Sequence, residues 1–200
     1  MDFTLQEYLG GIASIIGLWG SVIYIHSTLK GKTTPHLYTW LVFSILTWIA
    51  FAAQLSDNAG PGAWVMGITA FFCTFIALLS LKYGEQNITK SDRLALAASL
   101  SAILPWLMME DPLVSVIMIS MIDAVAMYPT IRKSWHKPHN EKLTSFNIGS
   151  LKNTISLFAL TNVTLVTTLY SVSIIAVNCI FVCICLYRRR VLAKADFIAS

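Results

Sequence analysis

The chain has 200 residues, of which 56% are hydrophobic and 12% are charged, and its mean hydropathy is +0.68. A domain of this size could not bury so much apolar side chain away from water, so the composition excludes a soluble globule. The net charge of +4 comes from basic residues that mark one side of a membrane, so nucleic-acid binding is not expected.

Seven apolar runs are long enough to cross roughly 30 Å of hydrocarbon as α-helices. In chain order they are Tyr8–Leu29, Leu37–Gln54, Gly62–Lys82, Leu94–Met109, Leu113–Ile131, Thr144–Leu160 and Leu165–Tyr187. The fourth and sixth runs are the shortest of the seven. The sequence therefore predicts an all-α membrane protein with seven transmembrane helices, numbered 1 to 7 in this order.

Basic residues occupy every second segment between these runs. After helices 1, 3, 5 and 7 they are, in order, Lys30 and Lys32; Lys82, Lys90 and Arg93; Arg132, Lys133, Lys137 and Lys142; and Arg188, Arg189, Arg190 and Lys194. The N-terminal segment and the other gaps contain no Lys or Arg. By the positive-inside rule, the N-terminus lies outside and the C-terminus lies in the cytoplasm.

The chemistry-bearing side chains do not form the pattern of an enzyme or a metal site. All four cysteines lie inside apolar runs without the CxxC spacing of a redox or zinc motif: Cys73, Cys179, Cys183 and Cys185. No Ser/His or paired-Asp arrangement lies at one depth. We therefore expect no catalytic residue, no metal and no cofactor.

The chain contains a weak internal repeat. A shift of 106 residues lays Leu37–Lys82 over Leu143–Arg188 without a gap and matches eight identical residues. Helices 1 to 3 and 5 to 7 then read as two copies of one unit, and helix 4 restores the orientation of the second copy. The predicted organisation is a triple-helix bundle in 1–83, a linker helix in 84–110 and a second, parallel bundle in 111–200.

This three-plus-one-plus-three plan resembles the SWEET and PQ-loop superfamily of small-solute transporters. The local resemblance lies in the segment Tyr128-Pro129-Thr130-Ile131-Arg132-Lys133, followed by a basic loop and Leu143-Thr144-Ser145-Phe146. It implies transport by rocking of two bundles, with Pro129 as a pivot near the end of helix 5; a simple helix stop is the alternative. Tyr24 lies at the matching position of Tyr128, but the first unit has no proline there.

Two ionisable residues of opposite sign lie near the centres of adjacent helices. Asp123 is in helix 5 and Lys152 is in helix 6. Each costs about 2.5–3.5 kcal/mol in lipid unless it faces a cavity or a partner, so the simplest arrangement pairs them. Such a pair gates a pathway, binds a charged solute or takes up a proton; the alternative is an ion pair that only fixes packing. The resemblance implies coupling to protons through the acidic residue.

Further polar and aromatic residues lie at the same depth, and a ring of hydrogen-bonding groups can replace the water shell of a solute. Asn153 aligns with Thr47 in the repeat, and the resemblance implies that Asn178 lines the pocket, with Thr69 in the first unit. The expected solute site is Thr47, Trp48, Thr69, Ser150, Asn153 and Asn178. The alternatives are hydroxyls that join helices and a Trp48 that packs against lipid.

We therefore expect a facilitator or proton-coupled transporter of a small polar solute such as a sugar, working by alternating access at a midplane site in a bacterial inner membrane. Small residues on helix 1, including Gly10, Gly17 and Gly20, predict tight helix contact within the bundle or in a homo-oligomer. The alternative functions are a seven-helix receptor and a cargo-binding protein without transport. A retinal protein is disfavoured because helix 7 has no lysine.

Overall fold

A computed structural model describes the backbone of residues 4–107 and 111–199 and the side chains of 4–101, 111 and 113–193. All regular secondary structure in these ranges is helical. The helices are α1 (Leu5–Leu29), α2 (Leu37–Ser56), α3 (Gly62–Tyr83), α4 (Lys90–Leu107), α5 (Pro112–Ala126), α6 (Tyr128–His136), α7 (Leu143–Phe158) and α8 (Leu165–Ala199). Counted with α5 and α6 as one rod, these are seven helices in the predicted order.

Helix ends follow local chemistry that apolar runs alone do not show. Helix α1 starts three residues before the predicted Tyr8, because Thr4 and Glu7 form a capping box. The Glu7 amide donates to Thr4 Oγ1 at 3.3 Å, and the Thr4 amide donates to Glu7 Oε2 at 2.7 Å. Helix α8 continues past the predicted Tyr187 to Ala199. The predicted end of helix 4, at Met109, lies outside the described residues.

The predicted helix 5 is interrupted at Met127, between α5 and α6. Met127 keeps right-handed helical dihedrals, and hydrogen bonds run on through it from Ile131 to Met127 and from Met127 to Asp123, at 3.0 and 3.1 Å. Pro129 follows in the first turn of α6, where it has no N–H to donate. The two helices therefore form one rod with a weakened joint.

Five helices in the described ranges are long and apolar enough to cross a membrane: Leu5–Leu29, Leu37–Ser56, Gly62–Tyr83, Leu113–His136 and Leu165–Ala193. Such a set is consistent with a multi-pass integral membrane protein. Helices α4 and α7 are not among the five. Helix α7 has 16 residues and is about 24 Å long, so it is shorter than the hydrocarbon layer.

Six of the helices form a closed ring of contacts. Helix α3 packs between α1 and α2, and α8 packs between α5 and α7. Within the described residues, the backbones of α1 and α2 do not approach closely, and neither do those of α5 and α7. Contacts between α1 and α7 and between α2 and α5 close the ring. Helix α4 lies outside it, against α5, α2 and α6.

The glycines of α1 allow close contact within the chain. A Cβ atom at Gly20 would lie 2.6 Å from Ile148 Cγ2 of α7, and one at Gly10 would lie 2.7 Å from the Pro61 carbonyl oxygen. Of the two expected uses of this face, packing inside the bundle is the one these contacts show. A homo-oligomer remains a prediction.

Candidate functional site

A cavity of about 110 Å³ lies inside the ring. All six ring helices contribute side chains to its wall. A single water molecule needs roughly 10–15 Å³ on the same measure, so the cavity has room for several waters or a small solute. It is the natural candidate for a binding site, because it combines apolar walls with a few polar groups.

Seven of the residues expected at the site line this cavity: Tyr24, Thr47, Thr69, Asp123, Lys152, Asn153 and Asn178. They come from α1, α2, α3, α5, α7 and α8. Residues far apart in sequence are therefore brought together around one space.

Asp123 of α5 is buried, with 5% of its surface exposed. The Tyr170 hydroxyl of α8 donates a hydrogen bond to Asp123 Oδ1 at 3.1 Å. Tyr170 also lines the cavity and was not expected at the site. Its signal in the sequence is weak, since a tyrosine five residues into a membrane helix is also typical of the interface.

Lys152 of α7 is also buried, with 6% of its surface exposed. Its ammonium group donates to the Thr69 hydroxyl of α3, and that hydroxyl donates to the Val65 carbonyl at 2.6 Å. The lysine stem lies against α1, because a Cβ atom at Gly17 would be 3.0 Å from Lys152 Cδ. The absence of a side chain at Gly17 therefore makes room for the lysine.

The expected ion pair between Asp123 and Lys152 does not form. No described salt bridge joins them, and each is held by a neutral hydroxyl. The reason is their position around the ring, where α8 separates α5 from α7. Equal depth in the bilayer does not bring two side chains to the same side of a cavity.

Two polar atoms on the cavity wall have no partner. Asn153, with 1% of its surface exposed, donates through Nδ2 to the Gly149 carbonyl at 2.9 Å, while its Oδ1 is buried without a hydrogen bond. The Ser145 hydroxyl is in the same state. A buried unsatisfied polar atom is costly, so an occupant with N–H or O–H groups would be stabilised here.

A cluster of polar and aromatic side chains connects the cavity wall, through Tyr24 and Trp40, to the basic segment after α5. Tyr24 donates to Glu141 Oε2 at 3.1 Å, and Trp40 Nε1 donates to the Tyr24 oxygen at 3.3 Å. The Lys133 ammonium is paired with Glu141 Oε1, and both residues are buried. We name Tyr24, Trp40, Lys133 and Glu141 the inner closure. Lys133 and Glu141 were not expected at the site, since loop charges are normally solvated.

A second polar cluster fastens α4 to α2 and α6. Two guanidinium nitrogens of Arg132 donate to the Asp92 carboxylate, each at 2.8 Å, and His36 Nε2 lies 3.5 Å from Asp92 Oδ2. Burial lowers the pKa of His36, although Asp92 opposes this. Burial alone would raise the pKa of Asp92, but hydrogen bonds from Arg132 and Thr89 outweigh it and hold that pKa below its ordinary value.

Four expected site residues lie outside the cavity wall: Trp48, Ser150, Tyr128 and Pro129. Trp48 is 46% exposed and donates to Thr74 Oγ1 at 3.2 Å, so its ring lies away from the cavity and cannot stack on a solute there. Successive residues of a helix point about 100° apart, so Trp48 turns away where Thr47 faces inward. Trp40, two turns earlier on the same helix, lines the cavity instead.

Ser150 is half-buried and donates to the Phe146 carbonyl at 3.3 Å. Tyr128 is exposed and Pro129 is buried at the joint of α5 and α6.

In the described ranges no group of three His, Cys, Asp or Glu side chains could hold a metal ion. Comparison of the chain with protein-family models, curated proteins and solved structures finds no match.

Proposed function

We propose that the chain is a membrane transporter that moves a small polar solute by alternating access to the central cavity. The observation that carries this proposal is the pair of buried ionisable groups on the cavity wall, Asp123 and Lys152, which do not neutralise each other. Ionisable groups inside a membrane are costly and mark solute or ion pathways. A purely structural pair would be expected to form a direct contact.

The proposed transporter consists of two parallel triple-helix units joined by α4. The first unit is α1 to α3, and the second is α5 to α8, with α5 and α6 counted as one helix. The packing of the helices supports this division, because the third helix of each unit packs between the other two. The two main junctions between the units, α1 with α7 and α2 with α5, would exchange under a twofold axis along the membrane normal, as would the smaller contacts of α3 with α7 and of α2 with α8. Rocking at two such junctions opens a central site to one side, as in the SWEET and PQ-loop proteins that the sequence resembles.

Alternating access requires a gate on each side of the membrane, and the inner closure is the proposed gate on the side of the basic loops. On the other side, the turns after α2 and α7 are joined: the Thr161 amide donates to the Ala59 carbonyl at 3.2 Å. Asn162 Nδ2 donates to the Asp57 carbonyl at 3.1 Å, and Thr164 Oγ1 donates to Asp57 Oδ2 at 2.8 Å. We name these turns the outer closure. With the N-terminus outside, the outer and inner closures would open in turn.

Pro129 is the proposed pivot of the second unit. It follows Met127, where the rod of α5 and α6 is interrupted. Beside this joint, the Thr39 hydroxyl of α2 donates to the Ala126 carbonyl at 2.9 Å and Thr130 donates to Thr39 at 3.0 Å. The joint therefore contacts α2 of the other unit, so bending at Pro129 would change the contact between the two units.

Uptake into proteoliposomes tests the proposal. Purified protein is reconstituted and given radiolabelled sugars, amino acids and nucleosides, with and without an inward proton gradient. At least one solute should enter faster than in empty liposomes, and stimulation by the gradient would identify proton coupling. Asp123→Asn should reduce the initial rate by about tenfold or more, because a hydrogen bond to a charged group contributes about 1.5–3 kcal/mol.

Ser150→Ala is the matched control, since Ser150 lies on α7 but off the cavity wall; its rate should be unchanged. Solute that binds but does not enter, for every compound tested, would instead support a receptor or cargo-binding protein, for which the same cavity would serve as the binding site. Equal rates for Asp123→Asn and the unmodified chain would remove Asp123 from the pathway.

A further inference from the structure

The two ionisable groups of the cavity present opposite chemistry on separate parts of its wall. Asp123 reaches the cavity from α5, beside Tyr170 of α8. Lys152 reaches it from α7, beside Thr69 of α3. Each retains bonding capacity, since a carboxylate has about four acceptor sites and an ammonium has three donors, whereas one side-chain partner is present for each.

A third group on the wall also lacks a partner. The Asn153 Oδ1 atom is buried without a hydrogen bond, although Asn153 has 1% of its surface exposed and lines the cavity. This atom can only accept a hydrogen bond. The unfilled positions of the wall are therefore acceptors at Asp123 and Asn153 and donors at Lys152.

Neutral, singly charged and zwitterionic solutes differ in how far they compensate the charges of Asp123 and Lys152. A neutral solute leaves both ionisable groups without a counter-charge, and a solute with one charge compensates only one of them. An uncompensated charge in a low-dielectric interior is strongly unfavourable. A solute that carries both signs compensates both groups and remains neutral as a whole.

From this arrangement we infer that the cavity takes a small zwitterion that carries an ammonium group and a carboxylate. The ammonium group binds the Asp123 carboxylate, and the solute carboxylate binds the Lys152 ammonium; Asn153 Oδ1 accepts a further N–H or O–H from the solute. The inference rests on the proposed function in one respect, that the cavity is the solute site. It replaces a sugar, the expected example, with a dipolar ion.

Binding to the purified full-length chain tests the inference without requiring transport. Isothermal titration uses a series in which the two charges are progressively farther apart: glycine, β-alanine, 4-aminobutyrate and 6-aminohexanoate. Propionate, propylamine and propionamide provide single-charge and neutral comparisons. At least one zwitterion should bind about tenfold more tightly than all three comparisons, and the best member of the series reports the spacing of the two groups.

Neutralising one group at a time provides the second arm. Asp123→Asn should shift the preference from the zwitterion toward propionate, because only the lysine remains charged. Lys152→Gln should shift it toward propylamine. Ser150→Ala, on α7 and off the cavity wall, should keep the original preference. A merely structural role for these residues would weaken all ligands together and leave their order unchanged.

The outcomes separate this inference from the transport proposal. Tight zwitterion binding with reciprocal shifts, but no uptake, would support the inference and contradict transport. Uptake of a neutral sugar, with no preference for any zwitterion, would support transport and overturn the inference. If Lys152→Gln does not fold, the ligand series and Asp123→Asn still decide. Unchanged ligand order in Asp123→Asn would overturn the inference.

Discussion

Gly20 lets helices α1 and α7 pack closely, because it has no side chain at their contact. Its backbone lies so close to α7 that an added Cβ atom would come within 2.6 Å of Ile148 Cγ2. Gly11, on the same helix, has no atom within 4 Å of the corresponding position. The two glycines therefore provide a matched pair, one in a crowded contact and one in open space.

Gly20→Ala should destabilise the protein by about 1–3 kcal/mol, because the methyl group would overpack the contact between α1 and α7. Gly11→Ala should leave stability unchanged or raise it by up to about 1 kcal/mol, since alanine favours helix more than glycine. Thermal unfolding in detergent measures both. Equal melting temperatures would show that α1 is not held tightly against α7.

The sequence predicts the depth of each site residue in the bilayer, but not its direction around the helix bundle. The rise along a helix fixes the level of a residue in the bilayer, so Asp123, Lys152 and Asn153 could be placed at mid-depth before their neighbours were known. Their partners were not predictable in this way. Tyr170 and Thr69 hold the two charges because of the order of helices around the ring, which periodicity does not determine.

At the scale of helices, the inner closure joins α1 and α2 to α6 and the loop that follows it. Glu141 is its centre, because it accepts from Tyr24 and is paired with Lys133. Breaking one side of a buried ion pair leaves a buried charge uncompensated. The closure should therefore depend strongly on the Glu141 carboxylate.

Glu141→Gln should destabilise the closed form by about 3 kcal/mol and expose Cys185, which is buried beside Tyr24 and Phe146 in one apolar cluster. Labelling of the detergent-purified protein with a water-soluble maleimide, quantified at Cys185 by mass spectrometry, measures the opening. Lys137→Gln is the control, because Lys137 is exposed and its nitrogen lies 4.0 Å from Glu85; a surface pair contributes less than about 1 kcal/mol. Equal labelling of both variants would contradict the assignment of a gate.

The helices also show how much of their boundaries apolar runs can predict. The starts of α2, α3 and α8 coincide with the predicted residues Leu37, Gly62 and Leu165, because turn and loop residues interrupt the pattern there. The run from Leu113 to Ile131 predicted one helix, and one span from Leu113 to His136 is found there. Pro129 removes a donor, so this rod has a joint at Met127 that the run does not show. A hydropathy window averages over such a position.

At the scale of the whole molecule, the ring of helices was only partly predictable. The repeat between Leu37–Lys82 and Leu143–Arg188 indicated two similar units, but so few identities do not specify which helices touch. The placement of α3 and α8 in the middle of their neighbours depends on side-chain fit, including Gly67 of α3, where a Cβ would lie 2.9 Å from Phe51 Cζ of α2.

The orientation of the molecule is testable with single cysteines in exposed turns. Asn58→Cys should react with an impermeant maleimide applied to intact cells, because the turn after α2 is predicted to lie outside. Lys32→Cys and His139→Cys, in the basic loops, should react only after permeabilisation. All three positions are exposed. Labelling of Lys32→Cys in intact cells would reverse the predicted topology.

Helix α8 connects the cavity to the loop after α6. It carries Tyr170, which holds Asp123, and about 28 Å farther along it carries Arg189, which donates to the Pro138 and Glu141 carbonyls at 2.9 and 3.1 Å. Because both residues lie on one continuous helix, a displacement of Tyr170 would be transmitted along α8 to Arg189. A solute that binds Asp123 in the proposed site would therefore also shift the contact between α8 and the loop after α6.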